Sequence, residues 1–351
     1  MDNTRIGAID IAKGIGIILV IVGHALPSDN PIRVFVYTFH MPLFFILVGM
    51  VMKVPEHSGS VFQEFLTERK ILASYCLYSL IFIIFDVIVR FGIQRQIGLG
   101  GLFWDFYQTV VFYGINVLWF LATLVFAKIL AKRICRISVS KVYWLLIGIA
   151  LFAACSMISE HIQWLDMGKY RLIYYPLVAI LRVASTAVYI LLGYILGEKA
   201  KGYLKRSKIW VTACVAALAA LFLFFIFNFA GNVDIHIMRM GNWFIAFICA
   251  IFGFTSVFGV SILLDKVVGI RELLYYIGIN SLFIMATHDY LKIREIINWV
   301  LRNFNLLERQ YTVLLQIMLL IVVECVLCRL CAPYVDKVVF LTQDIEKRKT
   351  V

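Results

Sequence analysis

Ten long apolar runs, separated by short polar connections, constrain this chain more than any other feature of its sequence. They lie near residues 6–26, 32–53, 71–92, 116–131, 142–158, 173–197, 209–230, 242–264, 273–291 and 311–332. A helix that crosses the hydrocarbon core of a bilayer needs about 20 apolar residues. Only helices and closed barrels satisfy all backbone polar groups in lipid. The runs therefore predict an all-α, polytopic transmembrane helical bundle of about ten spans.

The composition excludes several other classes of protein. Hydrophobic residues make up 62% of the 351 residues and charged residues 15%, whereas about 25% of a soluble domain is charged. A soluble enzyme, a secreted disulfide scaffold and a disordered regulator are excluded on this ground. We expect one integral membrane domain over residues 1–340 and a short cytoplasmic tail over residues 341–351. The aromatic stretch at 102–114 is too short to span, and we expect an interfacial or re-entrant segment there.

The basic residues of the loops predict the orientation of the chain. With ten spans, 21 of the 33 lysines and arginines fall on the side of the N-terminus and 10 on the opposite side. The positive-inside rule then places both termini in the cytoplasm. The net charge of +12 thus reflects topology, and we expect no nucleic-acid partner. Only Lys13 and Arg182 remain inside spans, and the sequence indicates no role for Arg182.

Ionisable residues in the first span form a line along one helix face. Such residues are costly in a membrane and indicate function by default. Asp10 and Lys13 are three residues apart and can pair. Ten residues separate Lys13 from His24. The eleven steps between them make three helical turns plus about 20°, and an axial distance of about 16 Å. A snorkelling lysine and an unrelated interfacial histidine are the simpler alternative.

Polar residues recur at the depth of His24 on other predicted spans. His40 lies in the outer half of the second span and His288 near the outer end of the ninth. Asn116 and Trp119 begin the fourth span at the same side. One such histidine is most often structural, but three at one depth favour a shared polar site.

Basic residues lie at the opposite, cytoplasmic depth. Arg69 and Lys70 open the third span near the level of Lys13. A cationic cluster inside and an imidazole cluster outside would suit a long substrate with an anionic head and a reactive far end. Topological anchoring is the alternative explanation for these two residues.

Five segments carry these residues in a defined order along the chain. They are IDIAKGIGIILVIVGHA (9–25), FHMPLFFILVG (39–49), FLTERKILASY (65–75), NVLWFLATL (116–124) and IGINSLFIMATH (277–288). Together they resemble the membrane-bound acyltransferase 3 family, in particular its fucose 4-O-acetylase-like branch without a fused periplasmic domain. In that family a basic residue precedes the catalytic histidine by about three turns, as Lys13 precedes His24. Adjacent Arg69 and Lys70 depart from the family pattern of two basic residues separated by two positions.

The resemblance implies transfer of an acetyl group from acetyl-CoA to a hydroxyl of an extracytoplasmic sugar or glycan. It implies His24 as general base, because an imidazole with a pKa near 6.5 suits that task. Lys13, Arg69 and Lys70 would hold the phosphates of CoA, and Asp10 would orient or neutralise Lys13. A covalent acyl-histidine intermediate is the less favoured route.

The same resemblance extends to the acceptor side and to the location of the protein. The residues expected to bind the acceptor or the developing oxyanion are His40, His288, Asn280, Asn116 and Trp119. We expect the lipid bilayer of the bacterial cytoplasmic membrane as the location, and no metal.

Two other functions stay open on the sequence alone. A transporter or flippase for a sugar or an amino acid would also place polar groups on several spans around a cavity. A non-catalytic membrane sensor or assembly partner could have the same fold. Uptake without acyl-CoA would favour the transporter, whereas acetyl-CoA hydrolysis or transfer by the purified protein would favour the enzyme.

Overall fold

Helices make up most of the described residues. The computed structural model describes residues 7–54, 60–93, 100–137, 140–206, 209–289, 292–304 and 312–349. Its α-helices are α1 (Gly7–Ala25), α2 (Pro31–Tyr37), α3 (His40–Val51), α4 (Val61–Thr67), α5 (Arg69–Val87), α6 (Gly100–Val110), α7 (Trp119–Ile137), α8 (Lys141–Ile162), α9 (Arg171–Arg206), α10 (Ile209–Ile226), α11 (Trp243–Leu264), α12 (Ile270–Ile279), α13 (Ser281–Thr287), α14 (Ile293–Asn303) and α15 (Thr312–Lys349). The predicted all-α class is confirmed, since these residues form no β-strand.

Eight helical stretches are long and apolar enough to cross a membrane, and each matches a predicted run. The two other runs are helical as well. The second half of α7 carries Lys128, Lys132, Arg133 and Arg136, and the ninth run is divided at Asn280 into α12 and α13. The protein is therefore a polytopic membrane-spanning bundle. The count of ten spans and the cytoplasmic location of the termini stay predictions.

The aromatic stretch predicted to be interfacial forms α6. This helix has 11 residues, too few to cross a bilayer. Phe103 and Phe106 are exposed, whereas the rings of Trp104 and Tyr107 contact Tyr175 of α9. Aromatic residues on both faces suit a helix that lies between the protein and the membrane surface.

The last helix extends beyond the predicted end of the membrane domain. Helix α15 continues to Lys349, so the boundary predicted at residue 340 falls within a helix. Residues 350–351 of the predicted tail lie outside the described residues.

Close helix crossings set the positions of the elements that carry the polar side chains. At the crossing of α3 and α9, a β-carbon on Gly49 would overlap the carbonyl oxygen of Ile190, and one on Gly193 that of Ile46. Helices α1 and α12 cross at Gly14 in the same way. Small residues allow this approach of two backbones in membrane bundles. Helices α1, α3, α9 and α12 are held in register by such contacts.

The connection between α10 and α11 folds back into the protein. Asp234 and Arg239 exchange backbone hydrogen bonds of 2.6 and 2.9 Å. Ser159 Oγ donates to the carbonyl of Met238 at 2.6 Å, and Gln163 Nε2 donates to the carbonyl of Ile237 at 3.0 Å. Buried backbone groups need such partners. We call residues 231–242 the re-entrant loop.

Candidate active site

Several elements meet around one polar cavity of about 260 Å³. They are the end of α1, helix α2, the beginnings of α3 and α7, the residues after α13 and the re-entrant loop. Its polar and aromatic lining consists of His24, Arg33, Tyr37, His40, Asn116, Trp119, Asp234, His236 and Asp289. We call this space the histidine cavity. Four of the residues predicted from the sequence to form a site line it, namely His24, His40, Asn116 and Trp119.

His24, in the last turn of α1, contacts the rings of its neighbours in this cavity. The His288 ring lies edge-on to it with 5.0 Å between centroids. The Tyr37 ring lies 6.3 Å from His24 and 4.7 Å from His40. The three histidines predicted to share a site therefore converge, although His288 is not among the residues that line the cavity.

Asp289 faces His24, and the sequence analysis missed it. Its Oδ2 lies 3.9 Å from His24 Nδ1 and accepts a hydrogen bond of 2.7 Å from Asn116 Nδ2. A carboxylate beside one ring nitrogen stabilises the protonated imidazole and leaves the other nitrogen for a substrate. The signal in the sequence was the acidic residue directly after His288, at the end of a predicted span.

Backbone carbonyls fix the orientation of the other two histidines. His40 Nδ1 donates to the carbonyl of Val36 at 2.9 Å. His288 Nδ1 lies 3.0 Å from the carbonyl oxygens of Ile284 and Met285. With Nδ1 protonated, the Nε2 of each ring can accept a hydrogen bond. The Nε2 of His288 is buried and has no hydrogen-bond partner within the described part of the chain.

Arg182, whose role the sequence did not indicate, joins two walls of the histidine cavity. It is completely buried. Its Nη1 donates to the carbonyl of His236 at 3.1 Å and its Nη2 to that of Tyr113 at 2.7 Å. The guanidinium lies 4.8 Å from the ring centre of Tyr113 and 5.2 Å from that of Trp119, where cation–π attraction adds to the hydrogen bonds. The re-entrant loop is thereby fixed against the beginning of α7.

The re-entrant loop contributes two residues that sequence analysis did not single out. The His236 ring stacks on Trp119 at 5.7 Å and 12°. Burial, with nearby Arg182, lowers the pKa of His236 to about 3, so this ring is neutral near pH 7. Asp234 Oδ1 accepts the backbone N–H of His236 at 2.9 Å, and burial raises the pKa of Asp234. Asp234 and His236 lie in a loop whose sequence has no helical or strand periodicity. No sequence pattern therefore connected them with His24.

The remaining residues predicted on α1 and in the ninth run lie away from the histidine cavity. Lys13 Nζ is 3.2 Å from Asp10 Oδ1, and the Asp10 carboxylate is buried. The predicted pairing is thus confirmed, about 16 Å before His24 along the helix. Asn280 Nδ2 donates to the carbonyl of Tyr276 at 2.9 Å, where α12 ends.

A second polar cavity lies at the far ends of α3 and α7. It has a volume of about 260 Å³ and is lined by Val48, Val51, Met52, Lys53, Thr67, Glu68, Lys128 and Lys132. We call it the lysine cavity. Since α3 and α7 begin at the histidine cavity, the two cavities share these helices as walls. Lys128 follows Trp119 by nine residues, which is about 14 Å along α7.

Lysines outnumber acidic residues around the lysine cavity. Glu68 accepts hydrogen bonds from Lys128 and, at 2.9 Å, from Lys132 Nζ. Burial alone would raise the pKa of Glu68, but the two lysines hold it below its usual value. Arg69 and Lys70, predicted to bind phosphate, follow directly at the start of α5 and are not among the lining residues.

The two cavities differ in the chemistry that their side chains can perform. The histidine cavity offers imidazole nitrogens that can accept a proton, and the lysine cavity offers charge-assisted hydrogen bonds to an anion. Within the described ranges, no three His, Cys, Asp or Glu side chains are placed to hold a metal ion.

The comparison with known families decides the functional class. A family model described as an acyltransferase domain matches residues 6–331. The chain belongs to this acyltransferase family. No curated protein and no solved structure matches it. The predicted family is thus confirmed for this acyltransferase, whereas the fucose 4-O-acetylase-like branch stays a prediction.

Proposed function

We propose that this membrane acyltransferase moves an acetyl group from cytoplasmic acetyl-CoA to a hydroxyl of an extracytoplasmic sugar or glycan. The observation that carries the proposal is the His24–Asp289 pair in a polar cavity, with a lysine-rich cavity at the other end of the same helices. Acetyl-CoA has an anionic nucleotide head and a reactive thioester joined by a long flexible arm. A protein that uses it across a membrane needs two such sites.

In the proposed reaction His24 carries the proton between the two substrates. The acceptor hydroxyl donates a hydrogen bond to His24 Nε2, which takes the proton as the oxygen attacks the thioester carbon. The tetrahedral intermediate collapses as its carbon–sulfur bond breaks, and His24 returns the proton to the sulfur. The products are the acetyl ester and free CoA. Asp289 stabilises the imidazolium between these steps, so direct transfer needs no acyl-histidine.

In this proposal acetyl-CoA extends from the lysine cavity to the histidine cavity. Its phosphates lie at the basic end, where the lysine cavity extends the set of Lys13, Arg69 and Lys70 predicted from the sequence. Its thioester reaches His24, about 16 Å from Lys13 along α1. This arrangement keeps the charged head out of the hydrocarbon region, where ionised groups are costly.

The acceptor occupies the histidine cavity from the extracytoplasmic side. His40, His288, Asn116 and Trp119 are the side chains proposed to surround it. The excess of basic residues in the loops on the N-terminal side supports this orientation, and a bacterial cytoplasmic membrane is the proposed location.

Replacement of His24 tests the proposal in native membranes. We expect His24→Ala to abolish acetylation of surface glycans, measured by mass spectrometry, and to reduce acetyl transfer from radiolabelled acetyl-CoA by at least about 100-fold. His161→Ala is the matched control, because His161 is exposed on α8 and its ring donates to the carbonyl of Met157 in the same helix. Undiminished acetylation in the His24 variant would contradict the general-base role. Sugar uptake by proteoliposomes without ester formation would favour a transporter.

A further inference from the structure

The last two carbonyl groups of helix α1, and that of Leu26 directly after it, are held by two arginines from other helices. Arg294 of α14 donates from Nη1 to the carbonyl of His24 at 2.7 Å and from Nη2 to that of Ala25 at 3.1 Å. Arg33 of α2 donates from Nη1 to the carbonyl of Leu26 at 3.0 Å. Three consecutive carbonyls, which have no partner within their own helix, are thus satisfied by two guanidinium groups.

This cap acts on the residue that carries the proposed proton transfer. One of the three carbonyls belongs to His24 itself, so the position of its main chain depends on Arg294. The two parallel N–H groups of a guanidinium fix distance and orientation together. A cation at the C-terminal end of a helix is also favoured by the helix dipole.

Arg294 and Arg33 differ in their relation to the histidine cavity. Arg33 lines the cavity and its guanidinium lies 4.7 Å from the ring centre of Tyr37. Arg294 is not among the residues that line the cavity. Arg294 is therefore linked to the site in two ways, by its hydrogen bonds to the backbone of α1 and by its charge, which acts on nearby Asp289.

Packing of helix α14 against the bundle sets the position of Arg294. Ile293, Ile297 and Leu301 form a buried face at helical spacing, which fixes the helix against the bundle. Arg294 directly follows the first of these residues and reaches across to α1. Arg302, near the other end of the same helix, is exposed.

We propose that Arg294 is a positioning residue. Through its hydrogen bond to the carbonyl of His24, it holds the His24 side chain in the position needed for proton transfer in the histidine cavity. This inference rests on the proposed function. A displacement of about 1 Å in a catalytic group can reduce a rate about 100-fold, and loss of the cap would allow the last turn of α1 to fray by such an amount.

The test compares Arg294 variants with a control on the same helix. In the purified full-length protein, we expect Arg294→Gln to lower kcat for acetyl transfer or acetyl-CoA hydrolysis at least about tenfold. The KM for acetyl-CoA should change by less than about twofold, because the basic end of α1 lies about 16 Å away. Arg294→Lys should retain part of the activity, and Arg302→Gln should retain all of it.

Chemical rescue separates positioning from folding. Guanidinium added at low concentration to purified Arg294→Ala should restore part of the rate, whereas a protein that had failed to fold would not respond. Wild-type kcat in Arg294→Gln, an equal loss in Arg302→Gln, or no rescue of a monodisperse Arg294→Ala protein would overturn the inference. If the wild-type protein transfers or hydrolyses no acetyl group, the proposed function fails instead.

Discussion

At the scale of single residues, the proposed chemistry depends on the His24–Asp289 pair. The distance of 3.9 Å is longer than a hydrogen bond, and catalytic contacts commonly shorten when substrate binds. Asn116 keeps the carboxylate in place through its hydrogen bond of 2.7 Å. Stabilisation of the imidazolium by Asp289 therefore has a direct kinetic consequence.

We predict that Asp289→Asn lowers the initial rate of acetyl transfer about 100-fold, because the neutral amide no longer stabilises the proton on His24. Asn116→Ala should cost less, since it removes the hydrogen bond that orients Asp289 but keeps the negative charge of the carboxylate near His24. Both rates are measured on purified protein at matched concentration. Wild-type rates in the Asp289 variant would show that another group assists His24.

Arg182 leads to a second residue-scale prediction, on stability. A lysine at this position keeps the charge but cannot donate to the carbonyls of His236 and Tyr113 at once. We expect Arg182→Lys to lower the unfolding temperature measurably, because a lost charge-assisted hydrogen bond costs about 1.5–3 kcal/mol. Arg171→Lys on the same helix, whose ion pair with Asp166 is only half-buried, should change it little. Equal unfolding temperatures for the two variants would contradict a stabilising role for the two hydrogen bonds of Arg182.

At the scale of elements, the sequence predicts what depends on hydropathy and misses what depends on tertiary contacts. All ten apolar runs are helical, because their length and composition leave few alternatives in lipid. The re-entrant loop follows from contacts between distant parts of the chain, such as those of Ser159 and Arg182 with its carbonyl groups. The convergence of His24, His40 and His288 could be predicted from depth alone. The contribution of His236 could not, because its place depends on Arg182.

The crossing of α3 and α9 gives an element-scale prediction. A β-carbon on Gly193 would overlap the carbonyl oxygen of Ile46, so Gly193→Ala forces apart the helices that carry His40 and Arg182. Overpacking of this kind costs about 1–3 kcal/mol. We expect a lower unfolding temperature and reduced acetyl transfer. Gly100→Ala at the start of α6 is the control, since nothing lies within 4 Å of its added carbon.

At the scale of the whole molecule, the proposed function assigns donor binding and chemistry to two separate cavities on shared helices. Changes at the lysine cavity should affect use of the donor, and changes at the histidine cavity should affect the chemical step. Lys53 offers a clean test because it is exposed at the lysine cavity. Lys128 and Lys132, in contrast, are engaged with Glu68, so their removal also alters a buried ion pair.

We predict that Lys53→Gln raises the KM for acetyl-CoA about tenfold with little change in kcat, because one hydrogen bond to a charged group contributes about 1.5–3 kcal/mol. Lys128→Gln should raise the KM for acetyl-CoA as well. It should also lower the unfolding temperature, because it disrupts the ion pair with Glu68. Lys141→Gln is the control, since Lys141 is exposed and pairs with exposed Glu198. The KM effect should weaken at high salt, because exposed charges are screened. An unchanged KM for acetyl-CoA in Lys53→Gln would instead place the nucleotide head elsewhere, for example at Lys13, Arg69 and Lys70.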